Sequence, residues 1–444
     1  MNLPDPYPVH PVEAFRVSIS PPGSKSLTNR ALLLAALAEG ESTLRNPLVA
    51  DDTQRMLDAL ISLGVKITPL DDGIRVTGVE GRFPGNGELQ LGNAGTATRF
   101  LTAAACFASG PVVIDGDERM RCRPIGELVD QLLAIGANVE YRGNIGCPPL
   151  RVTPTMGNLR GGEITIPTTL SSQFVSALLQ IAPLCDQGLK INLTGPVTSM
   201  GYIRMTIALM RRFGSEVTVE DEGRKITVAP GGYRGIDYFI EPDASSATYF
   251  LAAAAITPGA CCTIEGLGKG STQSDVGFAD KLAAMGAGLT FGEDFITVTG
   301  TADGLRGIDT DMSLMPDAAL TLAVTACFAQ GQTVIHGLRT LRVKETDRLA
   351  ALEAELSKLG VKVTIEADGP DEMLIIDPAD FQSVENESET GGDSNAVVID
   401  TYKDHRMAMA FAVIGLRRRN VSIADPACVN KTYPGFWDDL SRLS

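Results

Sequence analysis

Residues 30–40 read RALLLAALAEG, and residues 99–110 read RFLTAAACFASG. Both are alanine-rich apolar runs that close on glycine. The same form returns at 176–188 (SALLQIAPLCDQG), 250–259 (FLAAAAITPG), 320–331 (LTLAVTACFAQG) and 408–420 (AMAFAVIGLRRRN). The closing residues Gly40, Gly110, Gly188, Gly259, Gly331 and Asn420 are separated by 70, 78, 71, 72 and 89 residues. The last interval contains the polar stretch 382–396, QSVENESETGGDSNA, and is 74 without it. That stretch reads as an acidic, mobile surface insertion. Self-similarity at a fixed period marks a repeat architecture.

A second marker follows each of the first five runs. It is an amphipathic helix pattern closed by Gly64, Gly136, Gly214, Gly286 or Gly360, 24 to 29 residues after the first marker. Glycine just past a helical pattern is a C-cap signal. Short β-like runs such as PVVIDG and QTVIHG lie between the markers, and alternating runs such as VKITPLDDGIRVTG read as hairpins. The unit is therefore βαβαββ-like and is used six times, which gives a layered α/β architecture. Six units divide into two domains of three: residues 21–239, and residues 1–20 plus 240–444. Residues 1–20, with the strand-like FRVSIS, are expected to complete a sheet of the second half. The chain crossings near 21 and 240 would then act as a hinge.

With 444 residues, 44% of them hydrophobic and 21% charged, the chain can bury a real core. A net charge of −16 argues against binding nucleic acid or an anionic membrane. No apolar stretch reaches the length of a membrane span, and no signal peptide is visible at the amino end. A cytoplasmic protein is expected. Eight cysteines without a Cys-x-x-Cys pair read as buried reduced thiols. The three histidines, His10, His336 and His405, show no ligand spacing, so no metal site is expected.

The starts of the apolar helices hold the unusual residues. PPGSKSLTNR places Ser26 and Arg30 on one helix face at i, i+4, with Lys25 adjacent, at a helix start where free N–H groups and the macrodipole attract anions. GSKS resembles a truncated phosphate loop but lacks its upstream glycine. LGNAGTATRF supplies Asn93, Gly95, Thr96 and Arg99, and TTLSSQF supplies Ser171, Ser172 and Gln173. Each of these also fits simple helix capping. In the second half, MPDAAL places Asp317 at a helix start. LRVKETDRL puts Lys344, Glu345 and Arg348 within a turn, a pattern that equally fits a solvated salt-bridge face. TYKDHRMAMAF sets Asp404, His405 and Arg406 against a very apolar helix, where charges need partners. Arg123 and Lys431 are further cations. An acidic protein that gathers cations at equivalent corners of its repeats is suited to small, multiply charged anions. Asp317 and Glu345 are carboxylates among those cations, suited to proton transfer.

Taken together, PPGSKSLTNRALLLAALA, LGNAGTATR, RCRPIGELVD, SSQF, DASSATYFLAAAAI, PDAAL, RVKETDRL, DHRMAMAF and NKTYPGF resemble the 5-enolpyruvylshikimate-3-phosphate synthase family. They run in family order from residue 21 to 436. The resemblance implies an inside-out α/β barrel fold, two domains of three repeats joined by a double hinge. It implies transfer of the enolpyruvyl group from phosphoenolpyruvate to shikimate 3-phosphate, in the shikimate pathway to chorismate and aromatic amino acids, with no cofactor. Carried over by motif, Lys25, Ser26, Arg30, Ser171, Ser172, Gln173, Ser199, Tyr202, Asp317, Thr340 and Lys344 would hold shikimate 3-phosphate. Lys25, Asn93, Gly95, Arg123, Gln173, Arg348, Arg406 and Lys431 would hold phosphoenolpyruvate. Asp317 would be the base and Glu345 the acid, with Lys25 assisting.

Ligand anions would neutralise the cationic faces and close the hinge, and a monomer is expected. Phe100 stands where the family usually has proline, and Thr340 where asparagine is common. Gly95 is retained and would leave room for glyphosate. Three other readings are a sister enolpyruvyl transferase acting on UDP-N-acetylglucosamine, an inactive anion-binding protein, and a nucleotide-dependent kinase.

Overall fold

The computed structural model describes residues 3–167, 170–381 and 396–444. Apart from Ala396, the expected insertion at 382–396 lies outside the described residues. The chain divides into two compact units: a first unit Gly23–Glu241, and a second unit Met1–Pro22 with Pro242–Ser444.

In the first unit the helices are α1 (Lys25–Leu37), α2 (Asp51–Ser62), α3 (Gly95–Ala104), α4 (Gly126–Ala134), α5 (Ser172–Ile181) and α6 (Met200–Arg212). In the second they are α7 (Ala244–Ala255), α8 (Phe278–Met285), α9 (Ala319–Ala326), α10 (Arg348–Lys358), α11 (His405–Gly415) and α12 (Phe436–Ser441).

One motif recurs through both units. Strand Gly87–Gln90 leads into α3, which returns the chain to the parallel strand Val112–Asp115. After α4 comes the hairpin of Asn138–Tyr141 and Leu150–Thr153, whose second strand pairs antiparallel with Val112–Asp115. A parallel pair needs a crossover, and the buried helix supplies it. Strands 162–166, 189–193, 225–228 and 217–220 repeat this order, as do 309–311, 333–336, 371–377 and 362–368.

At the two chain crossings the motif exchanges its first strand. Arg16–Ile19, which precedes α1, pairs in parallel with Cys261–Glu265. Asp237–Phe239, which precedes α7, pairs in parallel with Glu41–Arg45. Tyr7–Val9 completes the last sheet against Val421–Ile423.

The apolar runs of the sequence explain what lies inside. Helices α3, α7, α9 and α11 are buried along their whole lengths, and α1 from Leu27 onward. Small side chains let such helices pack closely, and where hydroxyls meet they pair, as Thr248 and Thr321 do at 2.9 Å between α7 and α9. The strands instead alternate, Lys225–Val228 reading exposed, buried, exposed, buried. Helices are therefore inside and sheets outside, and among the described residues no sheet closes on itself. The amphipathic helices stop where the sequence says they should. Gly64 after α2 has φ 89°, and Gly136, Gly214, Gly286 and Gly360 are likewise left-handed after α4, α6, α8 and α10.

Candidate active site

The structure gathers the expected site residues into two groups, one on each unit. In the first unit they lie at the starts of α1, α3, α5 and α6 and in the turn before α4. Ser24 caps α1 by accepting from the Leu27 N–H, and Lys25 begins the helix with its Nζ 3.7 Å from Asp52. Arg30 is buried, and its donors go inward. Nε reaches Thr206 Oγ1 at 2.7 Å, Nη1 the Ser26 carbonyl at 2.9 Å, and Nη2 Ser176 Oγ at 3.2 Å. Its Cζ lies 5.1 Å from the Phe100 ring centre and 5.9 Å from that of Tyr202. Burial pushes this guanidinium down to about 10. Phe100 itself sits inside an unbroken α3.

Arg123 Nη1 donates to Asn93 Oδ1 at 2.8 Å. Gly95 lies against this guanidinium, and a Cβ built there would be 2.8 Å from Arg123 Nη2. Ser171 caps α5, Ser172 is buried beside it, and Gln173 Nε2 reaches Thr96 Oγ1 at 3.4 Å. Ser199 has φ 59° at the start of α6, one turn before Tyr202.

In the second unit Asp317 occupies a short 3-10 turn, Pro316–Ala318, ahead of α9. One carboxylate oxygen is 3.2 Å from Lys344 Nζ and 3.0 Å from Arg348 Nη1; the other is 3.0 Å from Arg406 Nη2. Glu345 is 3.0 Å from Arg348 Nη2 and 3.8 Å from Lys431 Nζ. Arg348 also binds Asp404, Nε to Oδ2 at 2.8 Å. The side-chain exposures are 1% for Arg348, 7% for Glu345 and 0% for Asp404. The Lys344–Arg348 segment is thus no solvated salt-bridge face. Burial, opposed by the Asp317 charge, holds Lys344 below the usual lysine range. Thr340 is buried in the 3-10 turn Arg339–Val343.

Several partners escape sequence reasoning. Asp52 faces Lys25, Ser176 and Thr206 hold Arg30, and the Tyr249 hydroxyl accepts from Arg406 at 3.4 Å. Asp275 accepts from Ser245 Oγ at 2.7 Å, and burial followed by the Asp317 charge pushes its carboxyl up to about 6. Asp52, Ser176, Thr206 and Asp275 lie outside the family motifs, while Ser245 and Tyr249 lie within DASSATYFLAAAAI without a role being read for them. The only signal was a polar residue on an apolar helix, as at Ser176 and Thr206.

Two repeat-built α/β units, each with cations and a carboxylate buried at its helix starts, define a class of protein made to handle small anions. The chain matches the family EPSP synthase (3-phosphoshikimate 1-carboxyvinyltransferase) over residues 9–440. A 3-phosphoshikimate 1-carboxyvinyltransferase of Serratia proteamaculans (strain 568) is 45% identical over 450 residues, covering 99% of each chain. One of Burkholderia cenocepacia is 46% identical over 433 residues, covering 95% of each. A solved EPSP synthase from Acinetobacter baumannii superposes with TM-score 0.79 at 28% identity, covering 98% of this chain and 97% of that one. The chain belongs to the EPSP synthase family.

Proposed function

We propose that this chain transfers the enolpyruvyl group of phosphoenolpyruvate to the 5-hydroxyl of shikimate 3-phosphate and releases phosphate, a step toward aromatic amino acids. In a chain of this family, the observation that carries the reading is the second unit's cluster. There Asp317 meets Lys344, Arg348 and Arg406, while Glu345 meets Arg348 and Lys431.

The chemistry follows from that arrangement. Asp317, held by Lys344, Arg348 and Arg406, serves as the base. It accepts the hydroxyl proton as the oxygen bonds to C2 of phosphoenolpyruvate, while Glu345 gives a proton to C3. C2 then carries both the new oxygen and the phosphate. Return of a C3 proton to the Glu345 carboxylate expels phosphate and restores the double bond. A bound dianion would draw on Arg348 and Lys431, the two cations that face Glu345. Arg348, Arg406 and Lys431, with Lys25, Asn93, Gly95, Arg123 and Gln173, are assigned to phosphoenolpyruvate. Lys25, Ser26, Arg30, Ser171, Ser172, Gln173, Ser199, Tyr202, Asp317, Thr340 and Lys344 are assigned to shikimate 3-phosphate.

The test is phosphate release from phosphoenolpyruvate with and without shikimate 3-phosphate. Release should require the acceptor, and Asp317→Asn or Glu345→Gln should slow it by roughly 10²–10⁴-fold. Release without acceptor, or at full rate in both variants, would overturn the reading. We further read the protein as a cytoplasmic monomer. Among the described residues no helix is long and apolar enough to cross a membrane. Sedimentation at 46.9 kDa and recovery in the cytosolic fraction test this.

A further inference from the structure

Strand Val397–Ile399 is joined to α11 by residues 400–404, and Arg406 is the second residue of that helix. Within the joint, Tyr402 (φ 54°) and Lys403 (φ 56°) are left-handed without being glycine. Residues with a Cβ adopt that conformation only when the surroundings hold it.

The holding group is on another element. Glu355 lies on α10, seven residues after Arg348, and its relative exposure is 0%. One of its carboxylate oxygens accepts the Asp400 N–H at 2.9 Å, and the other accepts the Tyr402 hydroxyl at 2.8 Å. Lys358 Nζ, 2.6 Å from Glu355 and 2.9 Å from Asp400, supplies the counter-charge. At the other end of the joint, Arg348 binds both oxygens of Asp404, at 2.8 and 3.2 Å. Asp404 in turn accepts the Arg406 N–H at 2.9 Å. Seven residues are two helical turns, so Arg348 and Glu355 lie on one face of α10. That face fixes both ends of the turn from which α11 starts.

We infer that Glu355 is a positioning residue for Arg406: through Asp400 and Tyr402 it sets the turn that aims this guanidinium. The inference rests on the reading of Arg406 as a ligand of phosphoenolpyruvate.

Steady-state kinetics and shikimate 3-phosphate binding of Glu355→Gln, Tyr402→Phe, the double variant and Arg406→Lys test it. Each of the first two should raise KM for phosphoenolpyruvate about 2- to 10-fold, the effect of one misplaced hydrogen bond. The Kd for shikimate 3-phosphate should stay within about 2-fold, and the double variant should be no worse than Glu355→Gln, since both break one link. A lower Tm with KM unchanged would mean that Glu355 only supports the fold, and would overturn the inference. If Arg406→Lys raises KM and the other two do not, the inference falls while the reading of Arg406 stands. If Arg406→Lys leaves KM unchanged, both fall. Tyr402 is 43% exposed and its variant loses one oxygen, so it decides the matter should Glu355→Gln not fold.

Discussion

Replacing Arg348 with methionine removes a guanidinium to which three carboxylates are tied. Nη1 meets Asp317 at 3.0 Å, Nη2 meets Glu345 at 3.0 Å, and Asp404 takes Nε at 2.8 Å. Asp317 would keep Lys344 and Arg406, and Glu345 would keep Lys431. Asp404, at 0% exposure, would keep the Arg406 N–H at 2.9 Å and the His405 ring at 3.6 Å. Methionine fills most of the volume, so the cost is electrostatic. Stranding one side of a buried pair costs about 3–5 kcal/mol. For a unit of this size that corresponds to a fall in Tm of roughly 6–20 °C. The single tryptophan makes the assay local to this unit: Trp437 is 4% exposed and stacks on Tyr7 at 4.3 Å. Urea unfolding followed by its fluorescence should show the loss at pH 8. Arg348→Lys keeps the charge but not the fork and should fall between wild type and methionine. A methionine variant that costs under about 1 kcal/mol would refute the reasoning.

Gly95→Ala puts a methyl 2.8 Å from Arg123 Nη2, so KM for phosphoenolpyruvate should rise while shikimate 3-phosphate affinity is kept; equal KM values would count against the placement of Arg123. Glyphosate is expected to compete with phosphoenolpyruvate in the wild type and to lose potency in that variant; full turnover at saturating glyphosate would contradict this. His336 is held above the ordinary histidine range by Asp368 at 2.8 Å, with burial opposing and Asp309 at 2.9 Å adding to the rise. Its contribution to stability is therefore fully present below about pH 6.5 and lost as pH rises through its folded value. His336→Gln should flatten that part of the stability profile, and an unchanged profile would exclude the effect.

The repeat was legible because its punctuation is local. An apolar alanine-rich run and the glycine after it are both set by backbone geometry, which the sequence shows directly. The candidate site was legible where motifs place charged residues at helix starts, as with Lys25, Asp317 and Arg406, which the structure puts there. Burial was not legible. The spacing of Lys344, Glu345 and Arg348 fits a solvated face as well as a sealed cluster, and only the packing of α10 decides between them. The same blindness hid Asp52, Asp275 and Glu355, whose neighbours are distant in the chain. For Arg30 the sequence suggested a ligand contact, whereas the structure also ties its donors to Thr206, Ser176 and the Ser26 carbonyl. A polar residue on an apolar helix does not announce which guanidinium it serves.

The exchanged strands bear on how the protein is made. Residues 23–241 form a continuous stretch that can assemble as soon as the ribosome has delivered it. The strand Arg16–Ile19 has no such option, because its partner Cys261–Glu265 is synthesised some 240 residues later. Val9 waits still longer, since its partner is Val421. At about 5–20 residues per second, the second wait lasts roughly 20–80 s. Closing so long a loop adds little to the equilibrium cost, but it postpones the contact. For that time the early strands offer unpaired edges to other nascent chains. The second unit is thus the part of this molecule that depends on shielding during translation, and its slowest pairing joins Tyr7–Val9 to Val421–Ile423.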